Sequence, residues 1–392
     1  MQIANYAVPL LLLPFLTRQL GMEAFGMVVI TLAAIQVASV LTDYGFSLSA
    51  TYSISINRED ANFINNKISA VFGAKALLVT AIGLTTLVAY QAFNYLEPYA
   101  PYIVPAFIAV IAQAFQPIWL FQGTERMKKI TIYTVLAKIL YAVLVLWLVG
   151  EPDDAVIVIY CWCIAQVAGL TASIYFTYSE GYRINIPKFS EIKREFRQGA
   201  QFFWSRLAVA VYTSASTLVV GSQSAAQAAQ FAVCEQIYKA GQNVTTPINN
   251  AMFPYMAKHK NWKVFYSVLT VAGTIIAIGC IVLACYAEPL LNLLFGSEYG
   301  AAVPVLLIFL CATIINYFGV TFGYSAFSAL GRVDIANASV IAAAIVHTIS
   351  LITLYMYFEI SSLSIALAIL LTESFVLSIR TYFFLLLINR AH

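Results

Sequence analysis

The chain has 392 residues, of which 61% are hydrophobic and only 10% are charged, and its formal net charge is +3. Water-soluble globular domains average about 45–50% apolar and about 25% charged residues, so this composition excludes a soluble fold. The small positive charge comes without a basic tail or a basic block, which excludes nucleic acid as a partner.

Twelve apolar windows follow one another along the chain, and most are long enough to cross a bilayer core at 1.5 Å of rise per residue. The first window lacks a basic region and a small-residue cleavage site, so we interpret it as a helix and not as a signal peptide. The windows lie at about 1–17, 24–42, 68–92, 102–121, 130–149, 155–177, 199–221, 225–250, 264–286, 301–324, 335–356 and 362–388. The sequence therefore predicts an all-α integral membrane protein of about twelve transmembrane helices.

Basic residues are distributed unevenly among the connections between these windows. Fifteen lysines and arginines lie in the even-numbered connections and at the C-terminus, whereas the opposite connections hold only Arg18. The fifteen are Arg58, Lys67, Arg126, Lys128, Lys129, Arg183, Lys188, Lys193, Arg194, Arg197, Lys258, Lys260, Lys263, Arg332 and Arg390. Because basic loops stay on the cytoplasmic side, this asymmetry predicts that both termini are cytoplasmic.

The longest connection separates the sixth window from the seventh. It contains Phe189, Ile192 and Phe196 at helical spacing, with charged residues at most of the intervening positions. Such an amphipathic segment is suited to lying along the cytoplasmic lipid surface. The sequence therefore predicts three parts, which are an N-terminal six-helix lobe at 1–177, an amphipathic linker at 178–198 and a C-terminal six-helix lobe at 199–392.

A weak internal repeat favours the two lobes. Ala24-Phe25-Gly26 resembles Gln230-Phe231-Ala232, which lies 206 positions later. Gly123 with Arg126 likewise resembles Gly331 with Arg332, and Gly331 lies 208 positions after Gly123. The nearly constant offset predicts a parallel repeat of six helices plus six.

Ionisable residues also occur inside the apolar windows, where they cost several kcal/mol unless they are hydrated or paired. The cations are Lys75, Lys138, Arg206, Lys239 and Arg380, and the acids at comparable depth are Glu235 and Glu373, with Asp43 near the cytoplasmic end of the second window. The excess of positive charge suits an anionic ligand, and a diphosphate would accept charge-assisted hydrogen bonds there. All the cations except Lys239 lie about 8–12 Å inside the cytoplasmic ends of their windows, which predicts a vestibule open to the cytoplasm.

Each of these charges also has a structural alternative. Lys75 and Lys138 could extend their ammonium groups to the membrane interface. Glu235 and Lys239 are four residues apart on one helix and could neutralise each other. The six cysteines and three histidines form no pattern of metal ligands or of a catalytic cluster, so we expect no metal and no cofactor.

Five short motifs occur in a fixed order through the first third of the chain. They are Asn5-Tyr6 with Pro9 and Pro14, Leu16-Thr17-Arg18-Gln19-Leu20-Gly21, Ala24-Phe25-Gly26, Asp43-Tyr44-Gly45-Phe46 and Gln116-Pro117-Ile118-Trp119-Leu120-Phe121-Gln122-Gly123. Together they resemble polysaccharide flippases of the multidrug/oligosaccharidyl-lipid/polysaccharide exporter superfamily, and O-antigen flippases in particular. The resemblance implies a MATE-like fold and translocation of a glycan on undecaprenyl diphosphate across the bacterial inner membrane.

The resemblance also implies a binding site and partners. In that family, cations that line a central cavity receive the diphosphate and acidic sugars. The matching positions here are Arg18, Lys75, Lys138, Arg206, Lys239 and Arg380. An alternating-access mechanism driven by an ion gradient would use the protonatable residues Asp43, Glu235 and Glu373. The expected partners are a lipid-linked oligosaccharide and membrane lipid, with a polysaccharide polymerase and a chain-length regulator as further candidates.

Alternative functions remain open at this point. A multidrug or cation antiporter of the same fold would present acidic residues to cationic drugs, and the cationic balance in the windows disfavours it. A membrane enzyme of polysaccharide assembly would need a sizeable outward loop, whereas the outward connections are short. A purely structural scaffold is compatible with the composition but leaves the charges in the windows unexplained. We therefore expect a flippase and not an enzyme.

Overall fold

The computed structural model describes the backbone of residues 2–210 and 215–391, and the side chains of 9–203, Leu207 and 215–388. Over these residues the backbone is helical almost throughout and forms no strand. The helices are α1 (Gln2–Asp43), α2 (Phe46–Ile56), α3 (Ala61–Ala92), α4 (Ala100–Ala114), α5 (Ile118–Gly123), α6 (Met127–Leu148), α7 (Ala155–Ser179), α8 (Phe189–Ala210), α9 (Ser216–Gly221), α10 (Ala225–His259), α11 (Trp262–Cys285), α12 (Ala287–Phe295), α13 (Val303–Val320), α14 (Ala326–Ala329), α15 (Val333–Tyr357) and α16 (Ser362–Ala391). A π-helical segment, Thr321–Ser325, joins α13 to α14.

Nine helical stretches of the described chain are long and apolar enough to cross a membrane. One of them, Pro9–Asp43, bends at Gly21, whose φ of 71° and ψ of 176° are not helical, so it contains two of the predicted windows. Two further windows, 199–221 and 225–250, fall in α8 with α9 and in α10, where charged and amide side chains lower the hydropathy. The prediction of about twelve membrane helices is therefore approximately confirmed.

The region between the second and third windows differs from the prediction. Residues 46–56, predicted as a connection, form α2, because Phe46, Ala50 and Ile54 bury one face of a helix that is otherwise rich in serine. α3 begins at Ala61, about seven residues before the predicted window. Lys67, counted as a loop cation, consequently lies in the second turn of α3 and is only 4% exposed.

The chain divides into two compact units. The first unit comprises Met1–Leu20 and Met27–Ala215, and the second comprises Gly21–Gly26 and Ser216–His392. The core of the first unit is built around the side chains Phe46, Ile64, Ile68, Trp119 and Leu120. The core of the second unit is built around the side chains Met256, Phe265, Tyr317, Phe327 and Phe384. The lobe boundaries at 177 and 199 stay a prediction.

Residues 189–198 of the predicted amphipathic linker form the beginning of α8, which runs without interruption from Phe189 into the seventh window. The ring of Phe196 lies 5.2 Å from that of Tyr44 and 5.9 Å from that of Phe46, and Ile192 packs against the same core. Phe189, in contrast, is 75% exposed. Two of the three apolar residues expected to contact lipid therefore pack against the first unit, and Phe189 remains available to lipid.

Candidate functional site

Asp43 and Lys75 form a buried acid–base pair in the first unit. Asp43 is the last residue of α1, and its Oδ1 accepts hydrogen bonds from the backbone and the hydroxyl of Ser47 at the start of α2. The ammonium nitrogen of Lys75 lies 3.9 Å from this oxygen and donates to the carbonyl oxygen of Ala114 at 2.8 Å. Lys75 is only 3% exposed, and it lies about 21 Å along α3 from Ala61.

Glu235 and Lys239 form an ion pair in the second unit. Their four-residue spacing on α10 places the Lys239 nitrogen 2.8 Å from Glu235 Oε2. The pair is asymmetric, because the lysine side chain is 40% exposed and the glutamate side chain is 11% exposed. Lys239 can therefore interact with a second anion from outside the protein while its carboxylate partner Glu235 remains largely buried.

Glu373 is a buried carboxylate held by two donors. The hydroxyl of Tyr238 donates to its Oε1 at 2.8 Å, and the side-chain amide of Asn316 donates to its Oε2 at 3.0 Å. Tyr238 lies on α10 between Glu235 and Lys239. One predicted acidic residue, Glu235, therefore belongs to α10, and a second, Glu373, is hydrogen-bonded to a residue of α10 three positions further along. Hydrogen bonds from neutral donors can stabilise the carboxylate while leaving it able to exchange a proton or bind a cation.

Arg380 lies on α16 and is 5% exposed. Its Nε donates to the hydroxyl of Ser339 at 2.8 Å, and its Nη1 donates to the carbonyl oxygen of Gly319 at 2.7 Å. Glu373 and Arg380 share α16, but the contacts resolved for each lead to different residues of neighbouring helices. These two hydrogen bonds are made to the protein itself, so they indicate a structural role for the guanidinium of Arg380.

The remaining predicted cations differ in exposure. Arg18 is exposed, and Lys138 on α6 is half-buried. Both make interactions of their own within the protein. The side chain of Arg206 lies outside the described residues. The described candidates thus comprise Arg18, Asp43, Lys75 and Lys138 in the first unit and Glu235, Lys239, Glu373 and Arg380 in the second.

Two buried polar groups escaped the sequence analysis. Lys67 on α3 lies 2.7 Å from Glu195 Oε2 on α8, and its nitrogen also donates to Gln198 at 2.9 Å. His347 on α15 is fully buried and has Ser216 and Thr372 within 3.0 and 3.2 Å of its two ring nitrogens. The partners of Lys67 could not be predicted because this lysine was counted with the loop cations. The partners of His347 could not be predicted because an isolated histidine carries no periodic signal.

Solved structures of membrane transporters share this fold. A multidrug resistance MATE family transporter of the MOP superfamily in its inward-facing conformation has a TM-score of 0.69 at 15% identity, covering 98% of both chains. The lipid II flippase MurJ in an inward closed conformation has a TM-score of 0.75 at 10% identity, covering 97% of this chain and 86% of that one. These likenesses confirm the predicted all-helical, MATE-like fold class.

Two curated relatives and one family profile match at the level of sequence. Both relatives carry the name "Putative O-antigen transporter". The one from Shigella dysenteriae is 28% identical over 309 residues, covering 76% of each chain. The one from Escherichia coli strain K12 is 26% identical over 319 residues, covering 78% of this chain and 76% of its own. The profile of the family described as "Polysaccharide biosynthesis protein" matches residues 1–260, which is more than half of the chain. This multi-pass membrane protein therefore belongs to the polysaccharide biosynthesis protein family.

Proposed function

We propose that the chain translocates an O-antigen repeat unit, or a similar glycan linked to undecaprenyl diphosphate, across the bacterial inner membrane by alternating access. The family description, the O-antigen transporter names of its relatives and the flippase among its structural neighbours support a transporter and not an enzyme. In this proposal, lobes 1–177 and 199–392 open alternately, and the linker 178–198 and both termini are cytoplasmic.

The observation that carries the proposal is the partly exposed side chain of Lys239. It lies within a helix of the second unit, and its ion-pair partner Glu235 is largely buried. A phosphate or an acidic sugar would add a second anion to this cation through a charge-assisted hydrogen bond. We assign direct contact with the diphosphate or acidic sugars to Lys239, Arg18, Lys138 and Arg206.

The buried cations Lys75 and Arg380 have a different part in the proposal. Both direct donors at the backbone of their own unit, so they contribute positive potential along the pathway more than direct contacts with the headgroup. Positive potential concentrates an anionic headgroup near the helices before individual hydrogen bonds form. The same positive potential would repel a cationic drug, which disfavours the antiporter alternative.

The acidic residues are the proposed sites of coupling to an ion gradient. Glu373 and Glu235 are buried on α16 and α10, and Asp43 is buried beside Lys75. Each could gain and lose a proton, or bind a cation, as the lobes alternate. Transport should become independent of the ion gradient when Glu235→Gln, Glu373→Gln and Asp43→Asn are combined. If every single variant and the combined variant kept wild-type rate and ion dependence, coupling would have to lie elsewhere.

Complementation of a flippase-deleted strain tests the function directly, with surface polysaccharide detected on a gel. We expect restoration by the wild type, and at least about a tenfold loss for Lys239→Ala at equal expression, since a charged hydrogen bond contributes about 1.5–3 kcal/mol. Lys258→Ala is the matched control, because this exposed lysine lies in the last turn of the same helix. Arg206→Ala tests the cation outside the described side chains.

Each outcome has a distinct meaning. Restoration by the wild type and by Lys239→Ala alike would keep the function and reject Lys239 as a contact. An inserted wild-type protein that restores no glycan in several backgrounds, but confers resistance to cationic drugs, would establish the antiporter instead. Co-purification with a polysaccharide polymerase or a chain-length regulator would test the two proposed protein partners.

A further inference from the structure

Each compact unit contains a long helix that is interrupted, and the two interruptions lie at equivalent positions of the repeat. In the first unit the interruption lies between α4, which ends at Ala114, and α5, which begins at Ile118. In the second unit it is the π-helical segment Thr321–Ser325, in which Gly323 has a non-helical ψ of −112°. Adding the repeat offset of 206 to the first interruption gives residues 320–324, so the two breaks coincide within one residue.

The turns that follow the two breaks have the same hydrogen bonds. The backbone N–H of Arg126 donates to Phe121 at 2.8 Å, and that of Arg332 donates to Phe327 at 2.8 Å. The residues before them, Glu125 and Gly331, have positive φ values of 58° and 68°. All three pairs are 206 positions apart, so the break and its turn are one structural device present in both units.

A helix break releases backbone carbonyls that must find another donor, because an unsatisfied carbonyl in a membrane costs several kcal/mol. In the first unit Pro117 has no N–H, and the N–H of Ile118 donates to Gln116 and not to Ala114. The ammonium of Lys75 supplies the missing donor to the Ala114 carbonyl at 2.8 Å.

In the second unit an arginine makes the corresponding contact. Gly319 lies just before the π-helical segment, where the regular hydrogen-bond pattern shifts by one residue. Its carbonyl accepts from Arg380 Nη1 at 2.7 Å. The guanidinium lies so close to the break that a Cβ at Gly323 would be 2.7 Å from Nη1 and 3.0 Å from Cζ. The glycine therefore leaves the space that the arginine occupies.

We infer that Lys75 and Arg380 are positioning residues that hold the α4–α5 break and the α13–α14 break by donating to a backbone carbonyl at each of them. Lys75 belongs to α3 and Arg380 to the last helix, α16, so the donors come from non-equivalent helices of the repeat. The same contact therefore arises twice from different sequence positions, which indicates that the break requires it. The inference concerns the folded protein, and only its transport readout rests on the proposed function.

A double-mutant cycle tests the first break in the full-length protein. Lys75→Met should lower the unfolding temperature, because it leaves the Ala114 carbonyl without this donor and Asp43 without this cation. Pro117→Ala restores an N–H and lets the helix bond its own carbonyls, so the same Lys75→Met change should then cost less, while the part due to Asp43 stays the same in both backgrounds. Lys75→Arg, which keeps a donor, should retain most of the wild-type unfolding temperature.

A second cycle tests the other break. Gly323→Ala should destabilise the protein because its methyl group collides with the guanidinium. In an Arg380→Met background, where the guanidinium is absent, Gly323→Ala should cause little further destabilisation. The two losses of stability should therefore be non-additive. Two swapped double variants serve as controls, because each combines a cation of one unit with the break of the other. They are Lys75→Met with Gly323→Ala and Arg380→Met with Pro117→Ala, and their effects on stability should be additive.

The inference is overturned if both matched pairs are additive. It is also overturned if Lys75→Met and Arg380→Met leave the unfolding temperature unchanged, whatever their effect on glycan export. Failure of the wild type to export any glycan would reject the proposed function, while the unfolding cycles would still decide the role of the two cations.

Discussion

Tyr238 donates its hydroxyl hydrogen to Oε1 of Glu373 across 2.8 Å, and this bond joins α10 to α16 within the second unit. The amide of Asn316 on α13 binds the other carboxylate oxygen at 3.0 Å. One acidic side chain therefore connects three helices whose residues lie far apart in the sequence. A carboxylate in this position contributes to stability whether or not it also couples transport to an ion.

Tyr238→Phe should therefore lower the free energy of unfolding by about 1.5–3 kcal/mol, because it removes a hydrogen bond to a buried acidic group. The matched control is Tyr324→Phe, which removes a 2.8 Å hydrogen bond from an exposed tyrosine to Asn337. That change should cost about 1 kcal/mol or less. Denaturation in detergent micelles measures both values, and equal losses would contradict a special role for the bond to Glu373.

The buried ion pair of Lys67 and Glu195 attaches the start of α8 to α3. Their charged atoms are 2.7 Å apart, although the geometry leaves the Glu195 oxygens without a well-formed hydrogen bond among the described residues, so the pair is held mainly by charge. Glu195→Ala leaves the lysine buried and uncompensated, and should cost about 3–5 kcal/mol.

Two further variants make the test of this ion pair specific. Replacing both partners, by Lys67→Met with Glu195→Leu, should recover most of the stability because no buried charge remains. Arg58 and Glu125 also form an ion pair, but their side chains are 40% and 70% exposed, so Glu125→Ala should cost at most about 1 kcal/mol. A double variant as unstable as Glu195→Ala alone would show that packing, and not charge, attaches α8.

The positions of the long helices could be predicted because lipid requires continuous apolar sequence, and that requirement leaves a signal in every window. α2 left no such signal, since its serines lower the hydropathy while Phe46, Ala50 and Ile54 bury one face. The pairing of Glu235 with Lys239 was open to prediction because both residues lie on one helix at a fixed spacing.

The environment of the other buried charges could not be predicted. Glu373 receives hydrogen bonds from residues 57 and 135 positions away, and those contacts exist only after the helices have packed. Lys75 and Arg380 donate to backbone carbonyls, which every residue possesses, so no residue type in the sequence marks the acceptor. A cation within a hydrophobic window therefore signals a buried acceptor without identifying it.

Gly26 should tolerate no side chain. It lies in the short stretch Gly21–Gly26 of the second unit, where Met22 also donates its N–H to Glu298 at 3.2 Å. A Cβ at Gly26 would overlap the carbonyl group of Ala225, so Gly26→Ala must displace the backbone and should cost about 1–3 kcal/mol.

Gly279→Ala is the matched control. Gly279 lies within α11, and a Cβ added there would have nothing within 4 Å, so this change should stabilise the protein by about 1 kcal/mol. Opposite signs in the two unfolding curves would support the close contact, and equal signs would refute it.

Single cysteines placed on opposite connections should label from opposite sides of the membrane. Asp153 and Lys258 are both exposed, and the distribution of fifteen basic residues against one predicts that the first faces the periplasm and the second the cytoplasm. With the six natural cysteines replaced, a membrane-impermeant maleimide applied to intact spheroplasts should modify Asp153→Cys and spare Lys258→Cys. Permeabilised spheroplasts should label both, which controls for the reactivity of each thiol. The reverse pattern would place Asp153 on the cytoplasmic side and Lys258 on the periplasmic side, and would invert the predicted topology. Labelling of both residues in intact spheroplasts would instead require an even number of membrane crossings between them.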